Sequence, residues 1–217
     1  MTFRTIPHTG TVEITISKSR FIGIATPVTS ELDARAVIEA TRKAYWNANH
    51  TCSAWRIGEQ GELERTNDDG EPAGSAGAPI GSVLRGRDVT NLVITVTRYF
   101  GGSKLGVGGL IRAYGEVAAS AIGTSGIVEL QERLVIALDV TYDATGAFEH
   151  ALRGTVFPPT NVTYNETGAV FELAIEEEQL PDVQEFASRL SSGTVSPRQI
   201  GTLRVAVPVT ASGSSDD

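Results

Sequence analysis

Residues Asn91–Ile122 read NLVITVTRYFGGSKLGVGGLIRAYGEVAASAI. The first seven, Asn91–Thr97, are apolar and β-branched, the composition of a central strand covered on both faces. The run Arg98-Tyr99-Phe100 leads into GGSKLGVGG, and a helix is predicted from about Gly108 to Ile122. Gly123 or Gly126 can end that helix. A buried strand that turns through glycine into a helix sets an α+β reading for the segments on either side.

Working toward the N-terminus, Ile80–Arg85 reads as a short helix with Pro79 in its first turn. Asn67–Gly77 (NDDGEPAGSAG) is turn chemistry throughout, because Asp-Gly and Glu-Pro both interrupt regular structure. Thr51–Gly58 is a strand, and Gly61–Arg65 begins a return strand. Ser30 opens a helix with Asp33 in the capping-box position, and Leu32, Ala36, Val37, Ala40, Ala44 and Tyr45 form its apolar stripe. Thr11–Ser17 and Phe21–Val28 alternate as an antiparallel pair joined around Lys18-Ser19-Arg20. The residues before Thr11, His8 among them, read as an irregular N-terminus.

Toward the C-terminus the pattern changes. Leu134–Thr141 is a strand, Asp143–Leu152 a helix, Asn161–Asn165 and Ala169–Ile175 strands, Pro181–Leu190 a helix, and Thr194–Val209 contains a last strand. That β-α-β-β-α-β order is the arrangement of a ferredoxin-like domain. The expected division is a first domain over 1–130, a second over 131–210, and a disordered tail at 211–217.

The chain has 217 residues, 41% of them hydrophobic and 20% charged, enough to build a core and to exclude wholesale disorder. Its longest uncharged stretch, Pro72–Leu84, falls far short of the roughly 18 apolar residues of a membrane span. Met1-Thr2-Phe3-Arg4 has no apolar run behind it, so no secretory signal is expected. The single Cys52 excludes an internal disulfide framework and a CxxC zinc site. These features predict a cytoplasmic protein with no membrane partner. The net charge of −8 is unevenly spread: residues 1–128 carry 13 Lys+Arg against 12 Asp+Glu, residues 129–217 carry 5 against 14. A polyanion would have to meet the first half, because affinity for a phosphate backbone depends on cations that displace counterions.

Six glycines (Gly101, Gly102, Gly106, Gly108, Gly109 and Gly115) and three cations (Arg98, Lys104 and Arg112) lie in Arg98–Gly115, which contains no acid. Glycine lets a backbone approach a ligand closely, and free N–H groups at a helix start attract anions. The spacing is neither a Walker A loop nor GxGxxG. Phosphate binding and plain tight-turn packing are the two readings. Tyr99, Phe100 and Tyr114 interleave with these cations, as stacking plus phosphate contact requires, although at period two one of Tyr99 and Phe100 must face the core. Asp68, Asp69 and Glu71 could hold a hydrated Mg²⁺ with substrate phosphates, or could cap turns and pair with Arg98 or Arg112. Ala73–Gly77 misses the G-x-S-x-G elbow at Ala73, and Ser75 has no evident base. His50 and Cys52 sit two apart on a strand, roughly 7 Å apart and side by side, which suits core packing of Cys52 better than a catalytic pair.

Taken together, Ser19-Arg20-Phe21, His50-x-Cys52-x-Ala54-Trp55, Asp68–Gly77 and Arg98–Tyr114 resemble the YigZ/IMPACT family over residues 11–125. The resemblance implies a ribosomal-protein-S5-domain-2-like fold for the first domain and a ferredoxin-like second domain. It also implies a role in RNA or ribosome binding and in control of translation, with no catalytic residue to assign and no resident cofactor. On that basis Arg98, Lys104 and Arg112 are expected to contact phosphates, Gly101, Gly102, Gly106, Gly108 and Gly109 to give backbone access, and Tyr99 or Tyr114 to stack. Asp68, Asp69 and Glu71 would position the arginines or hold Mg²⁺. Two other classes stay open: an enzyme acting on a nucleotide or other phosphorylated small molecule, and a protein-interaction module whose acidic second domain meets a protein partner.

Overall fold

A computed structural model describes residues 2–209. The chain divides into two compact units, Met1–Leu130 with Ala206–Asp217, and Gln131–Val205. Both mix helix with antiparallel sheet, so the α+β class holds. The predicted tail at 211–217 lies outside the described residues.

The first unit is built on a five-stranded sheet. Its strands are β2 (Gly10–Ile16), β3 (Ser19–Pro27), β4 (His50–Ile57), β5 (Leu63–Asn67) and β6 (Leu92–Tyr99). They lie in the order β2-β3-β6-β4-β5, and every neighbouring pair is antiparallel. β6 is central, as its composition requires, and it is buried from Leu92 to Arg98. Alternation along β6 sends Leu92, Ile94 and Val96 to the face covered by α2 (Gly77–Gly86) and α3 (Gly106–Ser125). Val93 goes to the other face, with Trp55, under α1 (Glu31–Ala44). Two layers of helix therefore enclose the sheet.

The start of α1 matches its sequence signal, since the Ser30 hydroxyl accepts the Asp33 N–H at 3.1 Å. The buried face does not. Ala34 and Thr41 are buried, Val37 and Ile38 half-buried, and Leu32 is 77% exposed. Those inward positions keep the i, i+3, i+4, i+7 spacing, and Thr41 can join them because its hydroxyl donates to the Val37 carbonyl at 2.9 Å. α2 begins three residues earlier than predicted, and α3 runs from Gly106 to Ser125, closed by Gly126 at φ +76°. The N-terminus is not irregular: β1 (Phe3–Thr5) pairs antiparallel with the first residues of β7 (Val128–Thr141). Phe3 and Thr5 are buried there, and alternation over three residues is too short to register as a sequence pattern.

The second unit follows the predicted order with the remainder of β7, α4 (Tyr142–Leu152), β8 (Pro159–Tyr164), β9 (Gly168–Ile175), α5 (Leu180–Ser191) and β10 (Arg198–Pro208). β9 pairs with both β7 and β8, and β10 pairs with β7. Its core gathers Ile136, Leu138, Phe148, Phe171, Leu173 and Phe186, with three aromatic ring contacts among Phe148, Phe157, Phe171 and Phe186.

Candidate functional site

The alternation that sends Leu92, Ile94 and Val96 toward α2 and α3 sends Arg98 the same way, at the end of the strand where the glycine segment begins. Register places Phe21 of β3 and His50 of β4 directly beside it. These three residues form a row across one end of the three central strands, β3, β6 and β4.

Arg98 is almost wholly buried. Its Nη1 donates to Glu71 Oε1 at 2.7 Å, and the two side chains are 7% and 4% exposed. Nη2 donates to Ser19 Oγ at 3.2 Å, and the guanidinium lies 5.4 Å from the Phe21 ring and 5.5 Å from the Phe100 ring. Tyr114, fully buried on α3, donates its hydroxyl to the same Glu71 oxygen at 2.7 Å and meets the Phe21 ring edge-on. Arg98 and Tyr114 thus both donate to Glu71. A cation on the core-facing side of a central strand needs an internal carboxylate, because leaving its charge unpaired there costs several kcal/mol. Burial, with the Cys52 thiol and the Glu71 carboxylate close by, raises the Tyr114 phenol above its ordinary value.

All three members of the acidic turn accept hydrogen bonds from within the first unit. Asp68 Oδ1 accepts the N–H groups of Ala76 at 3.0 Å and Gly77 at 2.8 Å, and Oδ2 accepts that of Gly74 at 2.8 Å. A carboxylate from eight residues upstream therefore caps α2, which explains its early start. Burial acts against the charge of Asp68, but these three backbone donors prevail and hold its carboxyl below the ordinary range. Asp69 accepts from Arg42 Nη2 and from the Thr51 N–H, both at 2.7 Å, which ties the end of α1 to β4. Among the described residues no group of three His, Cys, Asp or Glu side chains could hold a metal ion.

His50 and Cys52 do not pair. His50 Nδ1 lies 2.8 Å from the Asp69 carbonyl, and Cys52 Sγ donates to the Asp68 carbonyl at 3.0 Å. Burial, reinforced by the nearby carboxylates of Glu71, Asp69 and Asp68, pushes the Cys52 thiol up to about 12. The thiol stays protonated and is no nucleophile at neutral pH. Ser75 is buried with its hydroxyl on the Pro72 carbonyl at 2.6 Å.

The remaining predicted residues separate by face. Tyr99 points to the α1 side, under the Arg20 guanidinium, with its hydroxyl on Asn47 Oδ1 at 3.0 Å. Gly101 packs against the β2–β3 turn, where any Cβ would overlap the Lys18 carbonyl, and its N–H reaches Ser19 Oγ at 3.3 Å. Gly102, Gly106 and Gly108 are exposed and Gly109 is half-buried. Lys104 and Arg112 are exposed and, among the described residues, neither forms an ion pair. They flank the first turn of α3, whose N-cap, Leu105, supplies no side-chain hydrogen bond. Arg112 reaches back to within 3.9 Å of the place a Gly108 Cβ would take.

A cavity of about 420 Å³ opens here, lined by the polar Arg98, Glu71, His50 and Lys104 and by the apolar Phe100, Leu105 and Val107. The acidic turn and the glycine segment therefore share one site, joined through Glu71 and Arg98. Ser19, Asn49 and His50 belong to it without having been assigned a role from sequence. Period-two alignment of His50 and Arg98 on adjacent central strands is the signal that could have grouped them.

The Impact N-terminal domain matches residues 17–122. The chain is 39% identical over 189 residues to the IMPACT family member YvyE of Bacillus subtilis, covering 87% of each protein. It is 41% identical over 107 residues to the IMPACT family member YigZ of Escherichia coli, covering 48% of this chain and 52% of that protein. Among solved structures it is similar to that of a hypothetical protein, with a TM-score of 0.57 and 27% identity over 92% of this chain and 97% of the other.

Proposed function

Since this chain belongs to the IMPACT family, we propose that it is a cytoplasmic translation-regulating protein that binds RNA, free or in the ribosome, through the start of α3. One observation carries the reading. Lys104 and Arg112 stand exposed and unpaired on either side of an uncapped helix N-terminus whose first turn contains Gly106, Gly108 and Gly109. Two free cations, open backbone N–H groups and a helix dipole all favour the same phosphate. Tyr99 and Tyr114 lie outside this contact set, and Arg98 is held by Glu71 and Ser19.

We infer further that the first unit has the ribosomal-protein-S5-domain-2-like fold and the second the ferredoxin-like fold. The pairing of β7 with both β9 and β10, and of β9 with β8, supports the latter. Residues 129–217, with 5 Lys+Arg against 14 Asp+Glu, suit a protein partner better than a phosphate backbone.

The test is fluorescence anisotropy of a labelled single-stranded RNA with wild type and the Lys104→Ala/Arg112→Ala variant across a salt series. The logarithm of the binding constant should fall linearly with log salt, with a slope shallower by about 2 in the variant. No binding at low salt, or an unchanged slope, overturns the proposal.

A further inference from the structure

The geometry points to the cavity between β6 and the start of α3 as a pocket for one nucleoside 5′-monophosphate unit, drawn from a free nucleotide or from an unpaired RNA nucleotide. The inference deepens the RNA reading and rests on it for the second source only. At about 420 Å³ the cavity lies within the usual range of roughly 300–1,000 Å³ for small-ligand sites. That space suits one nucleotide and excludes a duplex, whose stacked and paired bases present no free face.

Two kinds of lining meet in the cavity. One is cationic. Lys104 is exposed without an ion-pair partner, and Leu105 leaves the α3 start uncapped. Arg98, 5% exposed, lines the same cavity and carries a buried Nε with no hydrogen-bond partner. Glu71 balances the Arg98 charge, so Lys104 and the helix terminus leave an excess of about one positive charge for a single phosphate. The other is apolar. Phe100 is 47% exposed and Val107 54%, and Phe100 is steadied by the Arg98 guanidinium. A half-exposed aromatic ring held in place is a stacking platform for a base.

Base edges also have partners. His50 uses Nδ1 on the Asp69 carbonyl, which leaves Nε2 for a ligand. Asn49 uses Oδ1 on the Phe100 N–H at 2.8 Å, which leaves its amide N–H₂ as a donor. Both residues line the cavity. An acceptor and a donor side by side match the mixed donor and acceptor edge that bases present.

The test titrates the full chain with AMP, UMP, adenosine and inorganic phosphate, followed by calorimetry. Monophosphates should bind at least tenfold more tightly than adenosine or phosphate alone. Val107→Glu places an acid in the first turn of α3, which the helix dipole favours for stability but which repels a phosphate, so the variant should fold as wild type and lose at least tenfold in monophosphate affinity. Phe100→Ala should lose about fivefold. Competition by a 5′-phosphorylated RNA would support RNA as the source, and its failure beside tight monophosphate binding would support the free nucleotide. Absent saturable monophosphate binding, or binding that Val107→Glu leaves unchanged, overturns the pocket assignment. RNA anisotropy that still shows the expected salt slope would then leave the RNA reading standing, so the two failures are separable.

Discussion

Arg98 and Glu71, 27 residues apart in sequence, form a buried ion pair 2.7 Å long that joins the end of the central strand to the acidic turn. Tyr114 adds a second donor to the same Glu71 oxygen, so one carboxylate ties β6, α3 and the loop before α2 together. The chemistry of the site is thus partly scaffolding: the pair lines the cavity while Lys104 beside it is exposed.

Removing one partner of such a pair should cost about 3–5 kcal/mol, because the other charge is left buried and uncompensated. Arg98→Ala is expected to destabilise the first unit by that amount. Arg98→Met/Glu71→Gln should cost less than the two single changes combined, by about 2 kcal/mol. Trp46 and Trp55, the chain's two tryptophans, both lie in the first unit, so urea unfolding followed by their fluorescence reads that unit directly. Additive costs would show that the pair is not coupled.

Asp68→Ala should lower stability by about 1–3 kcal/mol, since three backbone donors at Gly74, Ala76 and Gly77 lose their acceptor. The pH dependence has a definite sign. The folded-state value lies below the ordinary aspartate value of about 3.9, so the contribution is complete above that pH and is lost as pH falls through the folded value. The stability gap between wild type and Asp68→Ala should therefore narrow as pH is lowered from about 4, which urea titrations at successive pH values can follow.

Cys52 should be inert to thiol-directed alkylation at pH 8 in the folded protein and react fully in urea. Its folded value of about 12 stands above the ordinary thiol value of about 8.5. A raised value means its stabilising contribution is present below about pH 8.5 and is lost as pH rises toward 12. Wild type should accordingly lose stability relative to Cys52→Ala across that alkaline window. Rapid native labelling at pH 8 would contradict the buried, protonated thiol.

Strands were the most legible feature. Asn91–Thr97 announces a central strand by composition, and β6 occupies Leu92–Tyr99. The order of the second unit's six elements follows from alternating segments and turn residues, because each element buries a face against its sequence neighbours. What sequence patterns missed depends on contacts across many residues. The cap of α2 comes from Asp68, not from its own N-cap Ala76, which makes no side-chain bond. The α1 stripe was rotated because Thr41 can be buried through its own hydrogen bond. In the site, the grouping of glycines and cations was visible, but that Arg98 and Tyr114 both turn onto Glu71 depends on side-chain contacts 27 and 43 residues apart in sequence.

The glycines at the start of α3 should divide into two kinds under mutation. Gly101→Ala drives a Cβ into the backbone of Lys18 and Ser19, which the β2–β3 turn and its closing pair Ile16–Ser19 hold in place, so neither can yield cheaply. An overpacked backbone contact of this kind costs about 1–3 kcal/mol and should appear in urea unfolding. Gly108 sits in the exposed first turn of α3, where an added Cβ meets only the tip of Arg112, 3.9 Å away. Gly108→Ala should therefore stabilise the unit by about 0.5–1 kcal/mol through helix propensity. The same methyl takes up space beside the open N–H groups of the first turn, so RNA affinity in the anisotropy assay should fall as stability rises. A Gly108→Ala variant that gains both stability and affinity would show that glycine at this position is not kept for phosphate access.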